Sequence, residues 1–337
     1  MQESLIDLNI FSRIDSIRKI LNPCSMKNSK ILALSLVACF SFAACGSAND
    51  EAAQETVNSA IKNLSKAQSA EFVLEANGNV GGVEGPEGED VDLDMDMTID
   101  GSYSNAERSN PMFALAIDGS GSTDGESEES VDLEMRFANE NFFFVVNDIS
   151  DMGGELPTAM VAPFLGQWYF MELPADYVST FNVYSGDEEE LTEEEKAMKE
   201  LFESTDFFTN VANEGSEKVD SVDTTKYSVE LDNAAVRNYF LEGAKINGTA
   251  PTEAEIEEMD EFLAASSFKG NVWVADDKLK KVSGELKIGD LEDADAEISL
   301  SYTVDKVGEE VSVEVPAGAE LFDPFALMMG AASMEGL

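Results

Sequence analysis

From Val91 to Ile99 the chain alternates strictly between apolar and polar residues: Val91, Leu93, Met95, Met97 and Ile99 against Asp92, Asp94, Asp96 and Thr98. Side chains leave a strand on opposite faces with a period of two, so such a segment is a strand with one dry face and one charged, solvated face. A helix would scatter the same carboxylates around its whole circumference. The pattern returns at Val131, Leu133, Met135 and Phe137 against Asp132, Glu134 and Arg136, and at Ile298, Leu300, Tyr302 and Val304 against Ser299, Ser301 and Thr303. Gly- and Ser-rich stretches such as Gly119 to Gly125 read as the turns between strands. Strand following strand without helices between them points to an antiparallel meander with one buried face. Phe142 to Val146 is apolar on both faces, which predicts a central strand covered on each side.

Helical spacing appears at other points. Val57, Ile61 and Leu64 fall on one face of a short helix, and Phe72-Val73-Leu74 then begins a strand. Thr192 and Glu195 form a capping box before an apolar stripe of Met198, Leu201 and Phe202, extended here to Phe208. A second helix is expected from Asn233 to Ala244, with Val236, Tyr239 and Phe240 inward. A third starts at Pro251, carries a capping box of Thr252 and Glu255, and buries Ile256, Met259, Phe262 and Leu263. Strands resume at Gly270 to Ala275 and Leu279 to Ile288. In the tail, residues 317–337, Phe322 and Phe325 are expected to dock and the last ten residues to be disordered. No internal repeat or long linker divides residues 54–316, which read as one α+β domain.

Charge and composition exclude several functions. The chain has no histidine, which removes the commonest general base, the Ser-His and Cys-His nucleophile pairs, and the commonest metal ligand. Asp92-x-Asp94-x-Asp96 has the opening spacing of a calcium loop. Met97 and Tyr103 stand where such a loop needs Gly and Glu, so no metal site is assigned. Carboxylate pairs for glycoside hydrolysis are too easily found in so acidic a chain to mean anything, and core packing is the expected role of Trp168 and Trp273. A formal charge of −47 repels nucleic acid and anionic headgroups, so recognition through a basic patch is excluded. No catalytic residue and no cofactor is assigned, and the chain is read as no enzyme.

Near its start the chain carries an export signal. Lys27 and Lys30 precede the apolar run Ile31 to Phe42, and Ala43-Ala44 supplies small residues for cleavage. That run is too short to cross a bilayer core of roughly 30 Å comfortably. Phe42-Ala43-Ala44-Cys45-Gly46 resembles the bacterial lipobox, with Phe42 where an aliphatic residue is usual. The resemblance implies that Cys45 becomes the lipidated first residue of a protein anchored at the extracytoplasmic face of the cell membrane, for which two or more acyl chains suffice. Residues 26–44 are then the signal peptide, 45–53 the lipidated Cys and a flexible tether, and 1–25 an extension upstream of a true start at Met26. Without residues 1–44 the chain keeps 16 basic and 65 acidic residues, a charge of −49, and no cysteine besides Cys45. Its stability must then come from a core rather than from disulfides.

The order of these elements resembles the LolA-like lipoprotein-carrier superfamily, and within it the LppX/LprG type of cell-surface lipoprotein. The resemblance rests on Lys66 to Phe72 (helix into first strand), Gln167-Trp168-Tyr169, and Lys226 to Leu231 leading into a helix. It is completed by Asn271 to Asp277 and the closing Val311 to Pro316. It covers most of the chain beyond the tether. The chain differs from that type in its acidity and in the Gly/Glu-rich stretches at Gly81 to Glu89 and Ser122 to Glu129. The resemblance implies a strongly curved antiparallel β half-barrel with helices packed on its concave face, and an acyl chain held between sheet and helices.

Two functions follow. In the first, the protein binds, and carries, a lipid or other apolar ligand on the dry strand face of Leu93, Met95, Met97, Leu133, Met135 and Phe137. Methionine adapts to apolar partners of variable shape. In the second, the same residues are filled core, and a non-catalytic accessory lipoprotein acts through its acidic exterior on an envelope protein or on cations. Alternation alone is compatible with both.

Overall fold

The alternating segments become long strands of a single sheet in the computed structural model, which describes residues 50–84, 90–105, 111–123, 129–150, 164–172, 191–291 and 294–322. The signal peptide, Cys45, Phe325 and the last ten residues lie outside the described residues. In chain order the elements are α1 (Glu51–Ser65), β1 (Ser69–Glu84), β2 (Asp90–Ser104), β3 (Met112–Thr123), β4 (Glu129–Ala138), β5 (Asn141–Ile149) and β6 (Tyr169–Glu172). Then come α2 (Glu193–Ser204), β7 (Phe208–Val219), β8 (Val222–Leu231), α3 (Asn233–Ile246), α4 (Glu253–Ala265), β9 (Ser266–Ala275), β10 (Lys278–Leu291), β11 (Ala294–Asp305) and β12 (Glu320–Leu321). Across the sheet the order is β12-β6-β5-β4-β3-β2-β1-β11-β10-β9-β8-β7. Two meanders thus meet where β1 pairs with β11, and the sheet stays unclosed. Neighbours are antiparallel except β12, which runs parallel to β6. The fold is α+β, a curved antiparallel half-barrel with its helices gathered on one face.

Glycines on the inner face let the sheet curl. Gly270 and Gly284 face each other across β9 and β10, and a Cβ built on Gly284 would lie 2.7 Å from the Gly270 Cα and 2.7 Å from the Phe268 ring. In β2 the Phe72 ring lies directly on Gly101, filling the place of its missing side chain. At these points backbone and ring approach more closely than a side chain would allow.

The helices cover one half of this inner face. α1 begins at Glu51, inside the stretch read as tether, because the Asp50 carboxylate accepts the backbone N–H groups of Ala52 and Ala53 at 3.1 and 3.4 Å. It buries Ala53, Val57, Ala60, Ile61 and Leu64 against β7, β9 and β10. Each large aliphatic residue so buried contributes about 1.5–3 kcal/mol. Phe268, Val272, Leu279, Val282 and Leu286 complete this core from the sheet side. Both capping boxes are formed, at Thr192/Glu195 and Thr252/Glu255. α4 buries Met259, Phe262 and Leu263 on β9 and β10, α3 rests on α4, and α2 on α3. No described helix is long and apolar enough to cross a membrane.

Several expectations are corrected. Gly119 to Thr123 is not a turn but the end of β3, because the small residues pair opposite Met97, Met95 and Leu93 of β2. Phe208 leaves the α2 stripe and is buried as the first residue of β7. Val211 is buried beside it, but β7 beyond Val211 is largely polar, without alternation, and lies at the sheet's edge, where charged Glu214, Glu217 and Lys218 suit a strand with one open side. β5 is third in from one edge rather than central. Phe143 and Val145 are buried on the outer face, whereas Phe142, Phe144 and Val146 are only half-buried on the inner one. Pro251 precedes the N-cap Thr252, so it stands outside α4 rather than in its first turn.

The tryptophans lie outside the helix-covered core. Trp273 points to the outer face, opposite Val272 and Val274, where its indole N–H donates to Glu217 Oε2 at 3.2 Å and Lys226 Nζ stands 5.1 Å from the ring. Trp168 is half-buried beneath the Arg136 guanidinium, 4.7 Å away.

Candidate functional site

All six residues of the predicted dry face fall on the inner face of the sheet. Register pairs Met97 with Ala76 and Gly119, Leu133 with Ile117, Met135 with Leu115 and Phe137 with Phe113. Phe137 is wholly buried. Leu93, Met95, Met97, Leu133 and Met135 are half-buried, since the described helices pack mainly over β7, β9 and β10. The face continues through Phe144, Tyr169, Phe164 and Phe322, whose rings lie 5.2–6.2 Å apart. Phe322 therefore docks as expected.

A cavity of about 520 Å³ opens where this face passes beneath the helices. Its walls are Ile61 and Leu64 of α1, Met198 and Phe202 of α2, Tyr239 of α3, Tyr103 and Tyr302 of β2 and β11, and Pro111-Met112-Phe113 leading into β3. The volume lies within the range of pockets that enclose small organic ligands, and the lining is predominantly apolar with a few polar groups, as such pockets are. None of the six residues singled out in the sequence lines it. Phe137 stacks on the lining residue Phe113 with 5.8 Å between ring centroids.

Local sequence explains why the space stays open. Gly243 lets α2 come close to α3, since a Cβ there would lie 3.2 Å from Met198 Cε. Phe202, Phe207 and Tyr239 form an aromatic cluster with centroids 5.2–6.3 Å apart, which holds α2 on α3. No residue of α2 is fully buried, so this helix roofs the cavity without entering the core. A polar seam joins it to α1: Lys66 Nζ lies 3.2 Å from Glu203 Oε1, and just beyond α2 Asp206 accepts from the Asn58 side chain at 2.6 Å.

Burial pushes the phenols of Tyr302 and Tyr103 above their ordinary value. For Tyr302 the neighbouring Tyr103 adds to the effect. A phenol whose folded pKa is raised stabilises the fold fully below the unfolded value of about 10, and that contribution is lost as pH rises beyond it. The urea midpoint of the protein is therefore expected to fall more steeply between about pH 9 and 11 than that of Tyr302→Phe. Parallel pH profiles for the two proteins would show that the Tyr302 phenol is not held in a dry site.

The sequence carried partial signals for this site. Tyr103 and Tyr302 continue the alternation of their strands, and Ile61, Leu64, Met198, Phe202 and Tyr239 belong to the helix stripes. What it lacked was the position along the strands at which helices and sheet part. Among the described residues no group of three or more acidic, Cys or His side chains is placed to hold a metal.

No protein-family model and no curated protein matches the sequence. Among solved structures, the chain is similar to LprF from Mycobacterium bovis at 13% identity and a TM-score of 0.39, with 81% of this chain and 100% of that one covered. It is similar to the lipoprotein LppX of Mycobacterium tuberculosis at 15% identity and a TM-score of 0.33, covering 79% and 100%. A β-barrel-like protein of a domain of unknown function from Brucella abortus is similar at 9% identity and a TM-score of 0.23, covering 70% and 98%. LprF and LppX are of the LppX/LprG type to which the sequence bears its resemblance.

Proposed function

We propose that the chain is a non-catalytic, membrane-anchored envelope lipoprotein, lipidated at Cys45, that binds the apolar chain of a lipid between sheet and helices. The observation that carries the reading is the cavity beneath α2, walled by Leu64, Tyr103, Phe113, Phe202, Tyr239 and Tyr302. A space of this size takes one acyl-type chain, and each methylene transferred into it contributes about 0.8 kcal/mol. A longer chain continues over the half-buried inner face of Leu93, Met95, Met97, Leu133 and Met135, where methionines accommodate variable shapes. The chain's −47 charge keeps such a protein soluble at its tether and away from anionic headgroups, so that the cavity, not the surface, meets the lipid.

Native mass spectrometry on protein purified from a bacterial host without detergent tests this reading. Adducts in the mass range of fatty acids or phospholipids are expected. A clean mass, persisting after incubation with a total lipid extract, sinks the cavity reading and leaves the accessory protein with a filled core.

A further inference from the structure

Around the cavity most polar side chains are already paired. Lys66 lies 3.2 Å from Glu203, and Lys199 has a partner of its own. The Ser65 hydroxyl donates to the Lys62 carbonyl at 2.9 Å, and the Tyr103 hydroxyl to the Ala67 carbonyl at 3.4 Å. Asn105 is different. It stands two residues beyond Tyr103, just past the end of β2, where its backbone N–H donates to the Gln68 carbonyl at 2.6 Å. The residue is 8% exposed and lines the cavity, yet among the described residues its side-chain amide makes no hydrogen bond. Buried polar groups are met by protein, by water or by a ligand. Water can serve such an amide in an empty cavity, but an alkyl chain that displaces the water leaves it unmet.

Resting on the lipid-binding reading above, we propose that the ligand carries an uncharged group that both donates and accepts a hydrogen bond, a hydroxyl or an amide, seated against Asn105 with its alkyl chain in the cavity. A side-chain amide offers N–H donors and a carbonyl acceptor. An ester or an ether meets only the donors and leaves the carbonyl unpaired. A hydroxyl or an amide meets both. An ionised head beside a neutral amide would lose its water for little return, and Lys66 and Lys199 are engaged. Selection at the polar end of the ligand therefore falls to Asn105.

The test is isothermal titration calorimetry of the full chain, freed of lipid, below each probe's solubility limit. Two matched pairs are compared: N-methyldodecanamide with methyl dodecanoate, and 1-dodecanol with methyl undecyl ether. Within each pair the length is equal and only the donated hydrogen is lost. The affinity ratio of donating to non-donating member is expected to fall fivefold or more in Asn105→Leu for at least one pair, the effect of one neutral hydrogen bond. Comparing the ratio in the two proteins cancels the cost of stripping water from the donor. The pair that responds more tells an amide from a hydroxyl. A smaller fall in both pairs overturns the assignment of Asn105, while binding of the ester upholds the cavity. If no probe binds the unaltered chain, the lipid-binding reading fails with it. Should the leucine variant not fold, Asn105→Ala is read in the same way.

Discussion

Replacing Ala67 by Trp is expected to abolish lipid retention and leave the fold standing. Ala67 lies in the turn between α1 and β1 and lines the cavity at the edge of the core; its N–H donates to the Leu64 carbonyl at 3.0 Å and its carbonyl accepts from the Tyr103 hydroxyl at 3.4 Å. An indole built there occupies space that the apolar chain would need. Excluding roughly four methylenes at about 0.8 kcal/mol each removes about 3 kcal/mol, which is more than a hundredfold in affinity. The same substitution separates the two functions through stability. In a filled core an added bulky side chain costs about 1–3 kcal/mol. In an empty cavity it meets wall atoms that lack partners, and the cost disappears or changes sign. Lipid adducts by native mass spectrometry and the urea midpoint, measured together, check both. Lost adducts with an unchanged or raised midpoint fit a cavity. Retained adducts, or a midpoint lowered by the full overpacking cost, would place Ala67 in a packed interior.

That two-sided test is needed because of what alternation can and cannot encode. Val91 to Ile99 fixes a strand, its face and its register partners, since a slip of one residue would turn Asp92, Asp94 and Asp96 inward. Thr192 and Thr252 mark helix starts because the cap is local chemistry between residues three apart. Nothing local says how far a helix stands off a strand. Met97 and Tyr103 lie on one face of β2 and both pack against the core, yet only Tyr103 also walls the cavity. The difference is made by α2, which is held off the sheet by Gly243, Phe207 and Tyr239. Likewise β7 escapes notice in the sequence because an edge strand has few partners to satisfy and need not alternate. Gly119 and Gly121 mimic a turn, although both are paired inside the sheet, with Met97 and Met95 of β2 and with Val131 and Glu129 of β4.

The helix-covered half of the sheet should prove the least forgiving part of the molecule, and Phe268→Ala is expected to show it. The ring is 2% exposed and sits on the paired glycines 270 and 284 beneath the helices. Truncating a buried Phe costs about 3–5 kcal/mol, because the transfer free energy is lost and the rigid surroundings collapse only in part. Against a typical total of about 5–15 kcal/mol this is a large fraction, read directly from urea or thermal unfolding. Gly284→Ala probes the same place from the other side. Its new methyl would strike the Phe268 ring and, more closely, the Lys269 carbonyl oxygen. The ring can move, but the carbonyl belongs to the β9–β10 ladder and cannot. Gly284→Ala is therefore expected to remain destabilising in the Phe268→Ala background, with only part of its cost relieved. If the double variant is no less stable than Phe268→Ala alone, the ring was the whole obstacle. The close approach of the two strand backbones, and with it this account of the sheet's curl, would then be wrong.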